Sequence, residues 1–344
     1  HTWFVGYTPE LATAVVAAYN DWSRAAVLPA ARTDYALPPD LYALALKNVG
    51  IDIAPRDLVG RAQLEFMETR AAMQALAPLV AKAQGIEATG YRDVIRALKR
   101  EQFAREAIEP HYRTVVMPEL DRLIDQHDIV SLPDRPMQMR LGTPAESAAS
   151  PAPHFLPAPL VGNTGQQGTF VLPLGNPGKG NKDEQYDDFN FDAVTWTLTA
   201  HEGRPGHELQ FTAMVERGIS LARTMFAFNS VNVEGWALYA EAEMVPYEPL
   251  EGQLIALQFR LMRAARAMLD PMLNLGLIDR ASDRTYRLGA RLWEWAARSP
   301  GATGLRAAAL PHLQKVHHYV RQHAQIGILT GNDVLFIERL SAPD

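Results

Sequence analysis

The sequence predicts a mostly α-helical fold with one small strand element, and three observations point to it. Apolar residues recur at helical spacing through the first ~130 residues. A proline-dense stretch, 132–177, then forbids any long helix. Helical patterning resumes at Phe191 and runs through Leu269. Three regions follow: a helical 1–131, a Pro/Gly-rich 132–190 with short strands beside a cleft, and a helical 191–344. Together they read as one continuous unit and as a portion of a longer protein.

Pro9-Glu10-Leu11 opens an Ala-rich periodic stretch, and Pro38-Pro39-Asp40-Leu41 opens a second helix. Arg56 to Gln84 places Leu58, Leu64, Met67, Met73, Leu76 and Leu79 on one face. Gly90-Tyr91-Arg92 begins a further helix carrying Val94, Ile95, Leu98 and Phe103. Such stripes read as core, and no chemistry is assigned to them. Within the proline-dense region, Gly168-Thr169-Phe170-Val171-Leu172-Pro173 is the best strand, ended by a proline as edge strands permit. An exposed edge binds an extended peptide by backbone pairing, which makes Phe170 a candidate substrate contact; a structural hairpin closing the cleft is the other reading. Gly175 to Asp188 is polar and glycine-rich, a surface loop with a lid as its functional alternative. Leu254 to Leu269 is amphipathic and bears Arg260, Arg263 and Arg266 one turn apart. Arginine rows are usually solvated, but Arg263 and Arg266 are also candidates to hold a substrate carboxylate.

The chemistry concentrates in His201-Glu202-Gly203-Arg204-Pro205-Gly206-His207. Two imidazoles and an adjacent carboxylate supply two neutral metal ligands and one general base. Ligands four apart share a helix face, whereas ligands six apart point about 240° away from each other. A regular helix would therefore separate His201 from His207. Pro205 breaks the ladder, and Gly203 and Gly206 allow unusual backbone angles, so the helix is expected to bulge or break and then restart with His207 swung back toward His201.

A catalytic zinc needs a third protein ligand and an open position. Asn232 to Glu241 follows helical spacing in Val233, Trp236, Ala237 and Ala240, which predicts a buried helix. Glu234 is embedded in that run, where an unpaired charge is costly and coordination removes the cost. Glu241, seven residues on, lies near the same face and is a candidate partner for a ligating histidine; a solvated carboxylate is the alternative.

H-E-G-x-P-G-H followed by E-G-W-A-L-Y-A-E resembles a bacterial family catalogued as domain of unknown function 885, which looks like a branch of the zinc peptidases whose third ligand is glutamate. Its members are mostly helical and longer than this chain, which matches as the carboxy-terminal portion. The resemblance implies Zn²⁺ held by His201, His207 and Glu234, with Glu202 as base; Leu209 and Gln210 match the continuation of the first motif. Asn274 stands where the family often has histidine, and the part after Arg298 fits poorly.

The remaining site candidates lie in His312 to His323. An oxyanion donor in a zinc peptidase is typically Tyr, His or Arg, and Tyr319 and His318 are the candidates here, with ordinary surface side chains as the alternative. The expected function is thus hydrolysis of a peptide substrate by a zinc-activated water. A zinc amidohydrolase on a non-peptide amide, or a non-catalytic metal-binding protein, are the alternatives. A fourth protein ligand from Glu241 or His318 would favour the last.

Bulk composition narrows the field. With 344 residues, 47% of them hydrophobic, the chain can bury a large core. A net charge of −6 argues against a nucleic-acid partner, and no apolar run of ~18 residues predicts a membrane span. The absence of cysteine excludes disulfides, thiolate metal sites and cysteine nucleophiles. The chain opens His1-Thr2-Trp3 and reads as trimmed or partial, which leaves compartment and oligomeric state open.

Overall fold

The computed structural model describes residues 9–31, 37–88, 90–150, 152–173, 188–226, 229–274, 276–281, 285–289, 300–330 and 333–340. Its contacts separate Leu44–Pro271 from a second unit of His1–Ala43 with Met272–Asp344. The fold is mostly α, with short strands and no closed sheet among the described residues.

Leu44–Pro271 holds the sequence motifs. After α1 (Pro9–Trp22) and α2 (Pro39–Asn48), a long helix, α3 (Pro55–Gln84), packs against α4 (Tyr91–Leu98). The buried face of α3 takes in only part of the Leu/Met stripe its spacing suggests: Met73 is buried and Leu58 and Leu76 are half-buried. Leu64, Met67 and Leu79 are exposed, whereas Ala62, Thr69, Met73, Ala77, Val80 and Ala81 are buried. Small side chains let a helix approach its neighbours closely, so Ala77 and Val80 are fully covered beside Met73 while Leu64, Met67 and Leu79 lie outside. α5 (Arg105–His111) continues through a wider turn, Tyr112–Val116, into α6 (Met117–Gln126). Tyr112, Val116, Leu120 and Ile124 are all buried along it.

The proline-dense region forms a three-stranded sheet of short strands. β1 (Met139–Leu141) pairs in parallel with β3 (Thr169–Leu172), and β2 (His154–Leu156) pairs antiparallel on its other side. Register sets Phe155 opposite Phe170. The expected edge strand is therefore the central one. Phe170 is fully buried and packs edge-on against Tyr112 at 5.6 Å, so it belongs to the core and not to a substrate edge. The free edges belong to β1 and β2. A capping box at Thr143 starts the short α7 (Pro144–Ala149) between them. The lid expectation covers Gly175 to Asp188, of which 175–187 lie outside the described residues.

α8 (Asp192–Glu202) is buried nearly all round, as a helix through the middle of a core must be. α9 (His207–Arg217) follows it, then α10 (Leu221–Phe226), α11 (Ser230–Met244) and α12 (Leu250–Asn274). α11 packs along α8 and touches α9. Its N-terminus is capped by the Asn229 side chain, which accepts from the Val231 and Asn232 N–H groups. One apolar cluster, including Met73, Val94, Ile108, Phe170, Val194 and Leu254, underlies the sheet and the start of α8. A second, including Val116, Leu120, Ile124, Ala200 and Met244, supports its end.

In the other unit, β4 (Ile278–Arg280) and β5 (Tyr286–Leu288) form a hairpin. α13 (Pro300–Val320) packs on a second hairpin of β6 (Ala324–Thr330) and β7 (Asp333–Leu340). No described helix is long and apolar enough to cross a membrane.

Candidate metal centre

α8 stops at Glu202 and α9 starts at His207, so the helix does break between the two histidines. Gly203 and Gly206 have ψ of −121° and −130°, between the helical and extended wells. Both glycines are also required by crowding. A Cβ on Gly203 would lie 2.5 Å from the Met137 sulfur, and one on Gly206 would overlap the carbonyls of Ala200 and His201. The Arg204–Pro205 peptide is cis.

Three interactions hold the break from outside. The Trp236 indole N–H donates to the carbonyls of Pro205 and Gly206 at 3.0 and 3.1 Å, tying α11 to the loop. Arg204, 2% exposed, donates to Glu208 at 2.8 Å, to Asp121 at 3.1 Å and to the Arg135 carbonyl at 2.7 Å. Arg135 in turn donates to the second oxygen of Glu208 at 3.3 Å and to Thr212 at 2.9 Å. A buried guanidinium is stable only when it is paired and hydrogen-bonded, and here each of its three nitrogens has an acceptor.

With the break held this way, the two imidazoles lie edge to face with centroids 4.9 Å apart. Glu234 Oε2 lies 3.5 Å from His201 Nε2 and 3.8 Å from His207 Nε2. Metal–ligand bonds of ~2.1 Å in a tetrahedral site separate ligand atoms by about 3.4 Å, so these three atoms fit such an ion. His201, Glu202 and His207 also have ligand atoms within 4.8 Å of one another. Two carboxylates thus compete for the third place. Glu202 turns one side of its carboxyl to the Phe155 N–H, while a single Glu234 oxygen is near both Nε2 atoms, which favours Glu234 as ligand.

Glu234 is not buried, however: its side chain is 60% exposed. The covered stripe of α11 is Ala237, Ala240, Glu241 and Met244, and Glu234 stands one turn before it at an open edge. The burial argument for this residue therefore fails, and its proximity to both rings carries its candidacy. Glu241, two turns on, is buried and accepts from His201 Nδ1–H at 2.5 Å. Both of its oxygens are also held by Arg263, each at 2.8 Å. That arrangement aims His201 Nε2 outward, as the partners of metal-ligating histidines do.

Arg263 is thus engaged by Glu241, Arg260 pairs with Glu65, and Arg266 is exposed. Tyr319, 92% exposed, and His318 lie on α13 in the other unit.

The electrostatics follow from burial and these contacts. Burial pushes the Glu202 carboxyl up to about 7, and its Oε2 has no hydrogen-bond partner among the described residues. Burial alone would lower His201, but its hydrogen bonds to Glu234 and Glu241 outweigh it and raise the imidazole to about 9. Burial, with the neighbouring His201 charge, lowers His207. Burial disfavours ionised Glu241 too, yet the bonds from His201 and Arg263 hold it below the ordinary range.

Fold and site together define a mostly α-helical protein with a buried His/Glu/His group that can hold a metal ion. The chain belongs to the family described as "Bacterial protein of unknown function (DUF885)", whose model matches residues 8–293. A solved structure from Shewanella oneidensis, described as a lipoprotein of unknown function, shares the fold with a TM-score of 0.57 and 20% identity. That match covers 76% of this chain and 47% of the other. A protein from Colwellia psychrerythraea, also described as a lipoprotein, gives 0.56 and 20% over 78% and 48%. The chain spans about half the length of these two. An IclR homolog from Microbacterium hydrocarbonoxydans is 41% identical over 26% of this chain and 38% of its own, but its TM-score of 0.22 carries no likeness of fold. No curated protein matches the chain.

Proposed function

We propose that this protein is a zinc-dependent peptidase in which His201, His207 and Glu234 hold the metal and Glu202 is the general base. One observation carries the reading: the convergence of both Nε2 atoms on one Glu234 oxygen, beside a buried carboxylate with a free oxygen. Bound zinc would supply Lewis acidity toward a water and a carbonyl. The chain does the rest. Glu241 and Arg263 fix the His201 ring, Phe155 N–H holds one side of the Glu202 carboxyl, and the other is left to take a proton from water and return it to a leaving amine. Burial favours this role, since a carboxyl raised toward neutrality accepts and releases protons near its working pH.

A fourth protein ligand from Glu241 or His318 would favour the non-catalytic reading. Glu241 sits on the Nδ1 side of His201 and is engaged by Arg263, away from the atoms facing Glu234, so it does not close the site.

Elemental analysis with a peptide-library digest, with and without chelator, tests the proposal. Wild type should bind one zinc and cleave peptides. Glu202→Gln should keep zinc and lose about 100- to 10,000-fold in turnover, while His207→Ala should lose both. Release of zinc by Glu202→Gln, or full activity in that variant, would overturn the assignment.

A further inference from the structure

A cavity of about 230 Å³ opens beside the metal group, walled by Phe155, Phe211, Ala158 and Val215 and floored by Arg135 and Glu216. Its walls are one residue removed from the chemistry. Phe155 contributes its N–H to Glu202 and its ring to the cavity. That ring stacks on Phe211 at 5.9 Å and 25°, and Phe211 lies 6.3 Å from the His207 ring. A group bound at the base and the metal would therefore have this space next to it.

The floor is polar but not free. The guanidinium of Arg135 is held by Glu208, Thr212 and, at 3.5 Å, Glu216. Its charge is thus balanced within the protein, and an incoming carboxylate would have to displace an existing partner. The 163–168 loop completes the lining, with the Asn163 amide and Gln166 Oε1 bonded within the loop and Gln167 beside them; the apolar part left to a ligand is two stacked phenyl rings, a valine and an alanine. An apolar cavity of about 150 Å³ is enough to hold a benzene ring, so the size here suits one large side chain.

We propose that this cavity receives the substrate side chain flanking the scissile bond and selects aromatic and large aliphatic residues over small or charged ones. The proposal rests on the peptidase reading and adds its specificity. Binding energy gained beside the reacting bond is expressed in kcat/KM, because the pocket orients the carbonyl as well as holding the chain.

The test compares kcat/KM of the zinc-loaded full chain on matched peptides carrying Phe, Leu, Ala, Lys or Glu at each position flanking the cleaved bond. The expected result is at least a tenfold preference for Phe and Leu over Ala at one of those positions. Val215→Trp and Ala158→Trp, which fill the cavity from two different segments of its lining, should each cut that ratio at least tenfold while retaining stoichiometric zinc and wild-type melting. Two independent fillings keep the result readable if one variant folds poorly. Cleavage without side-chain preference, or a preference that neither filling alters, would overturn the proposal and leave the peptidase reading standing. So would a preference for Lys abolished by Glu216→Gln, since that places a charge and not an apolar wall in control. A zinc-loaded protein that cleaves none of the peptides would bring down both.

Discussion

At the scale of single residues, two glutamates seven positions apart on α11 do different things to one imidazole. Glu234 offers an oxygen to the metal side of His201 and His207, whereas Glu241 grips the far side of His201. Exposure separates their expected effects. Glu234→Ala removes a half-exposed side chain, so the metal-free protein should change by no more than ~0.5 kcal/mol. Zinc affinity should fall at least 100-fold, and each such factor removes about 2.7 kcal/mol of zinc-dependent stabilisation. Glu241→Gln should weaken zinc about 10- to 100-fold, and should also destabilise the metal-free protein, because Arg263 loses its buried counter-charge. Thermal melts with and without zinc distinguish the two. If Glu234→Ala left the gap between loaded and metal-free protein unchanged, it would not be a ligand.

At the scale of elements, the helix break between α8 and α9 is the device that assembles the site. Gly206→Ala tests it. The new methyl would press on the carbonyls of Ala200 and His201, which are backbone and cannot swing aside. Opening the break by even ~1 Å displaces His207, and such misplacement costs on the order of 100-fold in rate. The expected outcome is a loss of about 1–3 kcal/mol in urea unfolding together with weakened zinc binding. A variant with unchanged zinc affinity would show the break to be slack. The break itself was legible in the sequence, because a six-residue spacing with Gly-x-Pro-Gly inside it has few other solutions. Its fastenings were not. Arg204 and Glu208 are a charged pair one helical turn apart inside a fully buried stretch, a signal that a turn-like Gly-Arg-Pro-Gly conceals. Trp236 reads as core by spacing, yet spends its indole N–H on the loop. Phe155 contributes a backbone N–H, which carries no residue identity at all. The α3 stripe misled for a related reason: periodicity reports a face but not which partner it meets, and small residues won the contact. Arg263 looked outward to substrate and instead serves Glu241, a pairing between helices that no local pattern encodes.

At the scale of the whole molecule, folding is linked to the protonation of a group remote in sequence from the motif. Glu248, two residues before α12, is buried, and neither of its carboxyl oxygens has a partner among the described residues. Burial, and secondarily the charge on Glu241, push its carboxyl up to about 8 from an ordinary value of 4.5. The folded state therefore keeps a proton that the unfolded chain releases above about pH 4.5. Stability should consequently fall as pH rises from about 4.5 to about 8 through this group, by up to ~1.4 kcal/mol per pH unit, and then level off. Glu248→Gln removes the titration while keeping the shape. Urea unfolding of metal-free protein should show the variant more stable than wild type at pH 8.5, with the difference shrinking toward zero or reversing by pH 5. The zinc-loaded protein should show the same difference, because Glu248 is not among the groups that face the metal. Parallel pH profiles for the two proteins would mean that Glu248 is solvated or paired in solution, and its burial would then carry no energetic weight.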